Sequence, residues 1–313
     1  MHTCKAPGAT LNKWLKNYPS KTDTYGHLLL EQVGASDDKL VKALRPYFES
    51  AHADAREHFH ALMGIDLHPE ASAPGAHAEY PRCLPKVALR GLFGEVMAGL
   101  VTEHYDFVGN HNWKVPIFLF RHHGDVERYL FALARDPSLV RTVFGRFGSD
   151  FIAIAVGKDG DVVRYLAGEA KWRANLTKGT ADDLLLGKKA KGTAVREDDG
   201  IWNQLKKDSK IPHGLRQLQK LLMDRDPAGW SAAILSLDKA LLLRNPLPLP
   251  RTNLVLISGN TTPKRGEGVA WVEFDSAPSE YAASHDLQVV ELFLTEGEKL
   301  IEAIYEVLWT KEA

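Results

Sequence analysis

The sequence has few features of secreted, membrane-bound or disulfide-rich proteins. Its 313 residues include only two cysteines, Cys4 and Cys83, which are too few for a disulfide framework and lack the spacing of a zinc site. No stretch approaches the roughly 18 consecutive apolar residues of a membrane helix, and the first residues do not resemble a signal peptide. We therefore expect a cytoplasmic protein without membrane association.

The formal net charge of −1 conceals a strong asymmetry along the chain. Residues 164–225 contain fourteen Lys or Arg and eight Asp or Glu, whereas residues 273–313 contain ten acidic residues and two lysines. Proteins that bind nucleic acid need a basic surface to replace the counterions of the phosphates. The near-neutral total therefore does not exclude a nucleic-acid partner, and residues 164–225 indicate where it would bind.

A proline-rich stretch at 67–85 divides the sequence into two parts. Residues 1–66 are expected to be mostly helical, with a helix over 37–63 for which Asp37 is the N-cap. The proline and glycine content of the next stretch is typical of a linker or long loop. We therefore predict an N-terminal helical region with its linker at 1–78 and an α/β domain at 79–313.

The second part of the chain alternates between helical and strand-like patterns. Apolar residues at helical spacing predict an amphipathic helix over 86–104, and residues 178–225 are expected to form helical pieces. A hairpin is predicted over 150–172, and single strands are predicted at 117–120, 253–258, 269–274 and 288–294. A helix at 296–308 closes the sequence.

The hairpin brings acidic residues together. If Asp159 and Gly160 form a two-residue type I′ turn, Ile154 pairs with Tyr165 and Asp150 stands opposite Glu169. Directly opposed side chains lie about 4.5–5.5 Å apart at Cβ, so two carboxylates meet on one face. Lys171 projects to the same face, because side chains alternate along a strand.

These residue types are suited to metal-assisted hydrolysis of a phosphate ester. An isolated Glu-x-Lys is ordinarily a solvated surface pair, but here apolar residues flank both strands. Mg²⁺ prefers carboxylate oxygens and is commonly held by one or two acidic side chains together with substrate phosphates. A lysine beside it can orient water or stabilise developing negative charge.

The segment from Gly148-Ser-Asp150 to Gly168-Glu169-Ala170-Lys171 resembles the D…(D/E)xK signature of the PD-(D/E)xK nuclease superfamily. The resemblance implies a restriction-endonuclease-like core, which is a central mixed sheet flanked by helices with the order α-β-β-β-α-β. It also implies that Asp150, Glu169 and the Ala170 carbonyl bind Mg²⁺, or Mn²⁺, and that Lys171 serves the nucleophile.

The resemblance adds a residue and a partner. Arg90-Gly-Leu-Phe-Gly-Glu95 is similar to the first core helix of that superfamily, where many members carry a glutamate, which makes Glu95 a candidate catalytic residue. A solvated Glu95 on the flank of the helix is an equal alternative. More narrowly, the motifs are similar to the nuclease subunit of Hachiman-type anti-phage defence systems, which implies a helicase partner.

The sequence thus predicts a metal-dependent deoxyribonuclease. Its candidate phosphate contacts are the basic residues that follow the Glu-x-Lys strand, namely Arg173, Lys178, Lys188, Lys189 and Lys191. Two alternatives remain open. One is a catalytically silent nucleic-acid-binding or scaffold subunit, and the other is a nuclease that acts on RNA or on branched DNA.

Overall fold

A computed structural model of the protein describes residues 1–63, 79–120, 151–193, 195–196, 199–207, 213–243, 245–260 and 271–310. The helices in these ranges are α1 (Gly8–Trp14), α2 (Asp38–Met63), α3 (Lys86–His104), α4 (Lys178–Leu186), α5 (Ile201–Lys207), α6 (His213–Arg225), α7 (Ser231–Leu241) and α8 (Gly297–Val307). The strands are β1 (Leu15–Lys21), β2 (Tyr25–Gln32), β3 (Trp113–Lys114), β4 (Phe151–Val156), β5 (Val162–Arg173), β6 (Arg251–Asn260) and β7 (Asp286–Leu294).

The described strands form one mixed sheet, which confirms the predicted α/β class. Its order is β1-β2-β7-β6-β5-β4-β3. The four inner strands β2, β7, β6 and β5 are parallel to one another, whereas β1, β4 and β3 pair antiparallel at the two sides. Strands β2, β6 and β7 are buried nearly throughout, as is usual for parallel strands covered on both faces, whereas β5 is partly exposed at its two ends.

Helices cover both faces of the sheet. On one face, α2, α3 and α8 pack against inward-facing residues such as Leu166, Leu254 and Val290. On the other face, α6 and α7 cover Ile152 and Ile154, and α4 and α5 cover the neighbouring part of β6 and β7. The molecule is therefore layered as helix, sheet and helix, with β5 near the middle.

Helices α2 and α3 follow the sequence pattern closely. The bounds of α3 coincide with the predicted helix at 86–104. Helix α2 begins after Asp37, whose Oδ1 accepts a hydrogen bond of 3.0 Å from the Leu40 amide, so the predicted N-cap is confirmed. The helical pieces within 178–225, the strands over 253–258 and 288–294, and the closing helix are also confirmed.

The predicted hairpin is present with a different turn. Ile154 pairs with Tyr165 and Ile152 pairs with Ala167, as expected, but a bulge shifts the register so that Val156 faces Val162. The Gly157 amide donates to the Asp161 carbonyl at 2.8 Å, and Gly160 adopts a φ of 83°. This is a three-residue loop with Gly160 in the αL conformation, and the register shift lies beyond it, between Ala155 and Val156, so the prediction of a two-residue type I′ turn is wrong.

Three other predictions are wrong. Residues 117–120 are not a strand, and the strand on that side is the short β3. Residues 271–274 are not a strand either, while the rest of that prediction lies outside the described residues. The N-terminal region, which was predicted to be mostly helical, contains strands β1 and β2, and these strands extend the central sheet. Residues on both sides of position 78 therefore share this sheet, and the division of the chain at that position stays a prediction.

A buried histidine links α2, α8 and the turn that precedes α3. His52 lies fully inside the protein, with Nδ1 2.9 Å from the Tyr80 hydroxyl and Nε2 3.3 Å from the Tyr305 hydroxyl. Because burial disfavours the charged imidazolium, the pKa of His52 falls from 6.5 to about 3.

This pKa shift makes stability depend on pH. Between pH 6.5 and about 3, the unfolded chain protonates His52 and the folded protein does not, so acidification favours unfolding. We expect the contribution of His52 to lower the free energy of unfolding by about 2 kcal/mol between pH 7 and pH 5. In urea titrations at both pH values, His52→Gln should reduce the pH dependence by this amount. Equal pH dependence in both proteins would contradict the expectation.

Two glycines offer a matched test of the packing. A Cβ on Gly259 in β6 would collide with the Arg173 carbonyl of the neighbouring strand, whereas a Cβ on Gly91 in α3 would meet no atom within 4 Å. We expect Gly259→Ala to destabilise the protein by about 1–3 kcal/mol. Gly91→Ala should stabilise it by up to about 1 kcal/mol, since alanine favours a helix. Chemical denaturation of both variants checks whether the free energy of unfolding falls for Gly259→Ala and rises for Gly91→Ala.

Candidate active site and nucleic-acid interface

The candidate catalytic residues Glu169 and Lys171 lie on β5. This strand is antiparallel to β4 and parallel to β6, where Glu169 pairs with Val255 and Lys171 pairs with Ile257. Apolar residues on both neighbouring strands favour the extended conformation here, and the side chains stand perpendicular to the sheet. The backbone at Glu169 and Lys171 is therefore held by its hydrogen-bond ladder with β6 rather than lying in a loop.

The structure brings Glu169 and Lys171 together. The Lys171 ammonium lies 3.0 Å from Glu169 Oε2, and both side chains project to the face covered by α4 and α5. The Glu169 side chain is only 12% exposed, whereas that of Lys171 is 32% exposed. A carboxylate thus lies at the base of the site, and the ammonium reaches toward solvent.

The alternate residues of the strand fix it to the opposite layer. Ala170 and Trp172 face α3, where a Cβ on Gly94 would lie 3.9 Å and 4.0 Å from their Cβ atoms. The Trp172 indole donates a 2.7 Å hydrogen bond to Glu298 Oε1, and Arg90 donates to the other oxygen at 2.8 Å. These contacts hold β5 against α3 and α8 and thereby limit the movement of Lys171.

The backbone carbonyl of Ala170 points along the sheet toward the β4 side. Ser258 Oγ donates a 3.3 Å hydrogen bond to the Lys171 carbonyl, which shows that this carbonyl points toward β6. Carbonyl directions alternate along a strand, so the Ala170 carbonyl points the other way. The last described pair on that side is Phe151 with Gly168, one residue short of Glu169.

The fit of this site to Mg²⁺ rests on its oxygen donors. Glu169 supplies a carboxylate and Ala170 supplies a carbonyl, which are the donor types that Mg²⁺ prefers. Asp150, the predicted second carboxylate, lies outside the described residues. Within the described ranges, no group of three or more His, Cys, Asp or Glu side chains is arranged for a metal ion.

Glu95 lies in a different layer from the Glu169–Lys171 pair. Its helix α3 covers the sheet face opposite to that pair, and Glu95 is buried. Burial raises the pKa values of the Tyr80 and Tyr305 hydroxyls well above the usual value of a tyrosine. The charge of Glu95, which lies near both hydroxyls, also contributes to the two shifts. The alternative of a solvated Glu95 on the helix flank is therefore wrong, and a catalytic role for this residue stays a prediction.

A basic cleft of about 580 Å³ opens at the carboxyl end of β5. Ligands of α/β proteins commonly bind beyond the carboxyl ends of parallel strands. The cleft is lined by three cationic side chains, two carboxylates and five uncharged residues: Lys171, Arg173, Lys188, Asp183, Asp199, Thr180, Leu184, Gly187, Ile201 and Gln204. The cations make it a candidate binding site for phosphate groups.

The predicted phosphate-contacting residues differ in their surroundings. Arg173 and Lys188 line the cleft, and burial lowers the pKa of the Arg173 guanidinium, which stays protonated at neutral pH. Lys189 and Lys191 are exposed beside it. The Lys178 ammonium instead binds Asp182 Oδ1 and the Trp271 carbonyl, each at 2.9 Å, so it holds the chain together at the start of α4.

Sequence reasoning missed the residues that helices contribute to the cleft. Thr180, Asp183 and Gly187 recur at helical spacing after Thr177, which caps α4 by accepting a hydrogen bond from the Thr180 amide. This spacing places the three residues on one face of a helix, and from it their common position in the cleft could have been predicted. Gln204 of α5 had no comparable signal, because its position depends on how α5 packs against α4.

Comparisons with known proteins do not identify a relative. No family model matches the chain, and no curated protein matches it. In the part of the chain that the structure describes, no helix combines the length and apolar character needed to cross a bilayer.

Proposed function

We propose that the protein is a Mg²⁺-dependent deoxyribonuclease whose site is built on β5. The observation that carries the proposal is the Glu169–Lys171 pair, 3.0 Å apart on one face of an inner strand and adjoining a basic cleft. A half-buried carboxylate next to a lysine and to further cations is suited to a phosphodiester substrate. The restriction-endonuclease-like core is part of this proposal.

The order of elements supports the proposal. Among the described elements, helix α3 precedes the antiparallel strands β3, β4 and β5, and helices then lead to β6, which pairs parallel to β5. This is the α-β-β-β-α-β order that the resemblance in the sequence implies. The strand that carries Glu169 and Lys171 is the third of this set, as the proposal requires.

The residues divide the chemistry between them. Glu169 and the Ala170 carbonyl would hold the ion with Asp150, and a bound Mg²⁺ would polarise the phosphoryl group and acidify a water. The Lys171 ammonium orients that water and stabilises negative charge on the phosphate oxygens. One P–O bond forms to the water oxygen while the bond to the leaving alkoxide breaks. The attacking water loses a proton to the solvent, and the alkoxide takes up a proton from the solvent.

DNA as the substrate and a helicase as the partner follow from the resemblance alone. Arg173 and Lys188 are the described cations best placed to contact the strand, and Lys189 and Lys191 extend the same surface. The proposed role in anti-phage defence also rests on the resemblance alone. RNA and branched DNA remain alternative substrates of the same site.

Cleavage assays test the proposed activity. Duplex, single-stranded, forked and RNA substrates are incubated with and without Mg²⁺ or Mn²⁺. We expect metal-dependent cleavage of DNA, which Glu169→Gln and Lys171→Gln should each reduce by at least about a hundredfold, because each removes a charge from the reacting centre. The matched control is Lys158→Gln, an exposed lysine in the hairpin loop at the other end of β5.

The outcomes separate the alternatives. Equal cleavage by all three variants would place the chemistry elsewhere in the chain. DNA binding without cleavage under every metal condition would favour the silent binding or scaffold subunit. Cleavage restricted to RNA or to forked molecules would correct the substrate and leave the site intact.

Binding measurements test the cleft. Lys188 is exposed and lines the cleft, whereas the Lys178 ammonium is already bound by Asp182 and Trp271. Losing one phosphate contact should lower the slope of log affinity against log salt by about 0.9 for duplex DNA. We expect this change for Lys188→Ala and no change for Lys178→Ala in fluorescence anisotropy titrations. A lower slope for Lys178→Ala and an unchanged slope for Lys188→Ala would indicate that the DNA does not bind in the cleft.

A further inference from the structure

Helices α6 and α7 and the segment after them expose large apolar side chains, which we call the apolar strip. Its members are each between 48% and 62% exposed: Met223, Leu235, Leu242, Leu243 and Leu247. A single exposed leucine is ordinary on a protein surface, whereas a contiguous apolar group with a polar border marks an interaction surface. The positions of these residues in the two helices decide which case applies.

The strip is continuous across the two helices. Gln219 in α6 donates to Met223 Sδ at 3.3 Å and to Asp238 Oδ1 in α7 at 2.5 Å. Residues three, four and seven apart lie on one side of a helix, so Leu235 and Leu242 flank Asp238 on its side of α7. Met223, Leu235 and Leu242 therefore belong to one surface.

The strip faces away from the core and continues beyond the end of α7. Leu218 in α6 and Leu237 in α7 are fully buried on the inner side of the helices. After α7, the Leu247 amide donates a 3.2 Å hydrogen bond to the Lys239 carbonyl, which holds the following segment against the last turn of the helix. Leu243 and Leu247 thus extend the surface at that end.

Charged residues beside the strip are arranged in a self-complementary order. On α7, the half-buried Asp238 and the exposed Lys239 lie midway along the strip. On α6, Arg216 lies toward the start of the helix and Asp224 toward its end, and both are exposed. A two-fold rotation therefore exchanges positions that carry opposite charges.

A two-fold axis that runs across the strip, perpendicular to the helices, pairs α7 with itself. When it passes between residues 238 and 239, α7 lies antiparallel on α7 of a second copy. Leu235 then meets Leu242 of the second copy, and Asp238 meets Lys239 of the second copy. Each contact occurs twice, because a two-fold interface uses the same surface of both subunits.

The same axis also pairs α6 with itself. Because Gln219 contacts Asp238, the axis crosses α6 near residue 219. Arg216 is thereby brought toward Asp224 of the second copy, and Asp224 toward Arg216. Pairs of opposite sign at the border of an interface favour association and fix its register.

We propose that the apolar strip binds a second copy of this chain in a two-fold dimer. Apolar residues then meet apolar residues, and the charged residues beside them meet opposite charges. Helices of 13 and 11 residues that pack about 8–10 Å apart present a face about 20 Å on each side. This is about half of the roughly 800 Å² that each partner buries in a standard interface, so we expect a weak dimer with a Kd of about 1–100 µM. The dimer does not depend on the proposed nuclease activity.

Sedimentation velocity of the whole chain, from about 1 to about 300 µM, tests the dimer. We expect the dimer fraction to rise with concentration. Leu235→Glu should raise the Kd at least about tenfold, because it places a carboxylate against Leu242 of the second copy. The matched control is Val87→Glu, which should leave the Kd unchanged, since Val87 is equally exposed on a helix but lies on α3.

Charge reversal tests the arrangement of the two copies. Arg216→Asp and Asp224→Arg should each weaken self-association about tenfold, because each places like charges near one another twice. In an equimolar mixture, the two variants should associate with each other about as tightly as the unchanged protein does, since their reversed charges again face opposite ones. Recovery in the mixture also shows that both variants are folded.

Three results would overturn the proposal. One is a chain that sediments as a monomer at every concentration. Another is a dimer whose Kd is unchanged by Leu235→Glu, which would place the interface on a different surface. The third is a mixture of Arg216→Asp and Asp224→Arg that associates no more tightly than either variant alone.

Discussion

The pairing of β5 with two neighbours of opposite direction is the constraint on which the site depends. The strand pairs antiparallel with β4 over residues 162–168 and parallel with β6 over residues 165–173. Its alternate side chains therefore enter two separate cores. Ala170 and Trp172 are fixed against α3, so Glu169 and Lys171 must project to the other face. A slip of one residue would exchange the two pairs and bury both charges against α3.

Buried polar contacts extend this constraint to the cleft. Glu291 in β7 is fully buried, and its carboxylate lies 3.1 Å from His27 and accepts hydrogen bonds from the Trp271 and Val272 amides. The Trp271 carbonyl in turn accepts a hydrogen bond from Lys178 at the start of α4. The wall of the cleft is thus connected to the centre of the sheet through charge-assisted hydrogen bonds, which are stronger than neutral ones.

Local patterns predicted the elements near the site better than their connections. Helix α3 and the pairing of Ile152 and Ile154 follow from periodicity and from an Asp-Gly turn. The turn type was wrong because a bulge absorbs one residue, and the alternation of side chains does not reveal a bulge so close to a turn. Since the wrong turn leaves the pairs beyond the bulge unchanged, Glu169 and Lys171 still share the predicted face.

Long-range contacts account for the larger errors. The apolar run in β2 forms an inner parallel strand because β7 lies beside it, and a short run of that kind does not distinguish strand from helix. Strand β1 is mostly polar and contains Pro19, which an edge strand tolerates. The cationic residues of the cleft were predictable from the run of basic residues in the sequence. Its polar residues were predictable only in part, because their positions depend on how α4 and α5 pack on β5.

We propose that Glu169 and the Ala170 carbonyl hold a divalent cation beside Lys171. A crystal structure of the protein soaked in Mn²⁺, with anomalous scattering recorded at the manganese edge, tests it directly. We expect an anomalous peak about 2.1 Å from a Glu169 carboxylate oxygen and from the Ala170 carbonyl oxygen, with Asp150 completing the ligand set. Mn²⁺ bound only at other carboxylates, with the Lys171–Glu169 contact unchanged at saturating metal, would contradict the account.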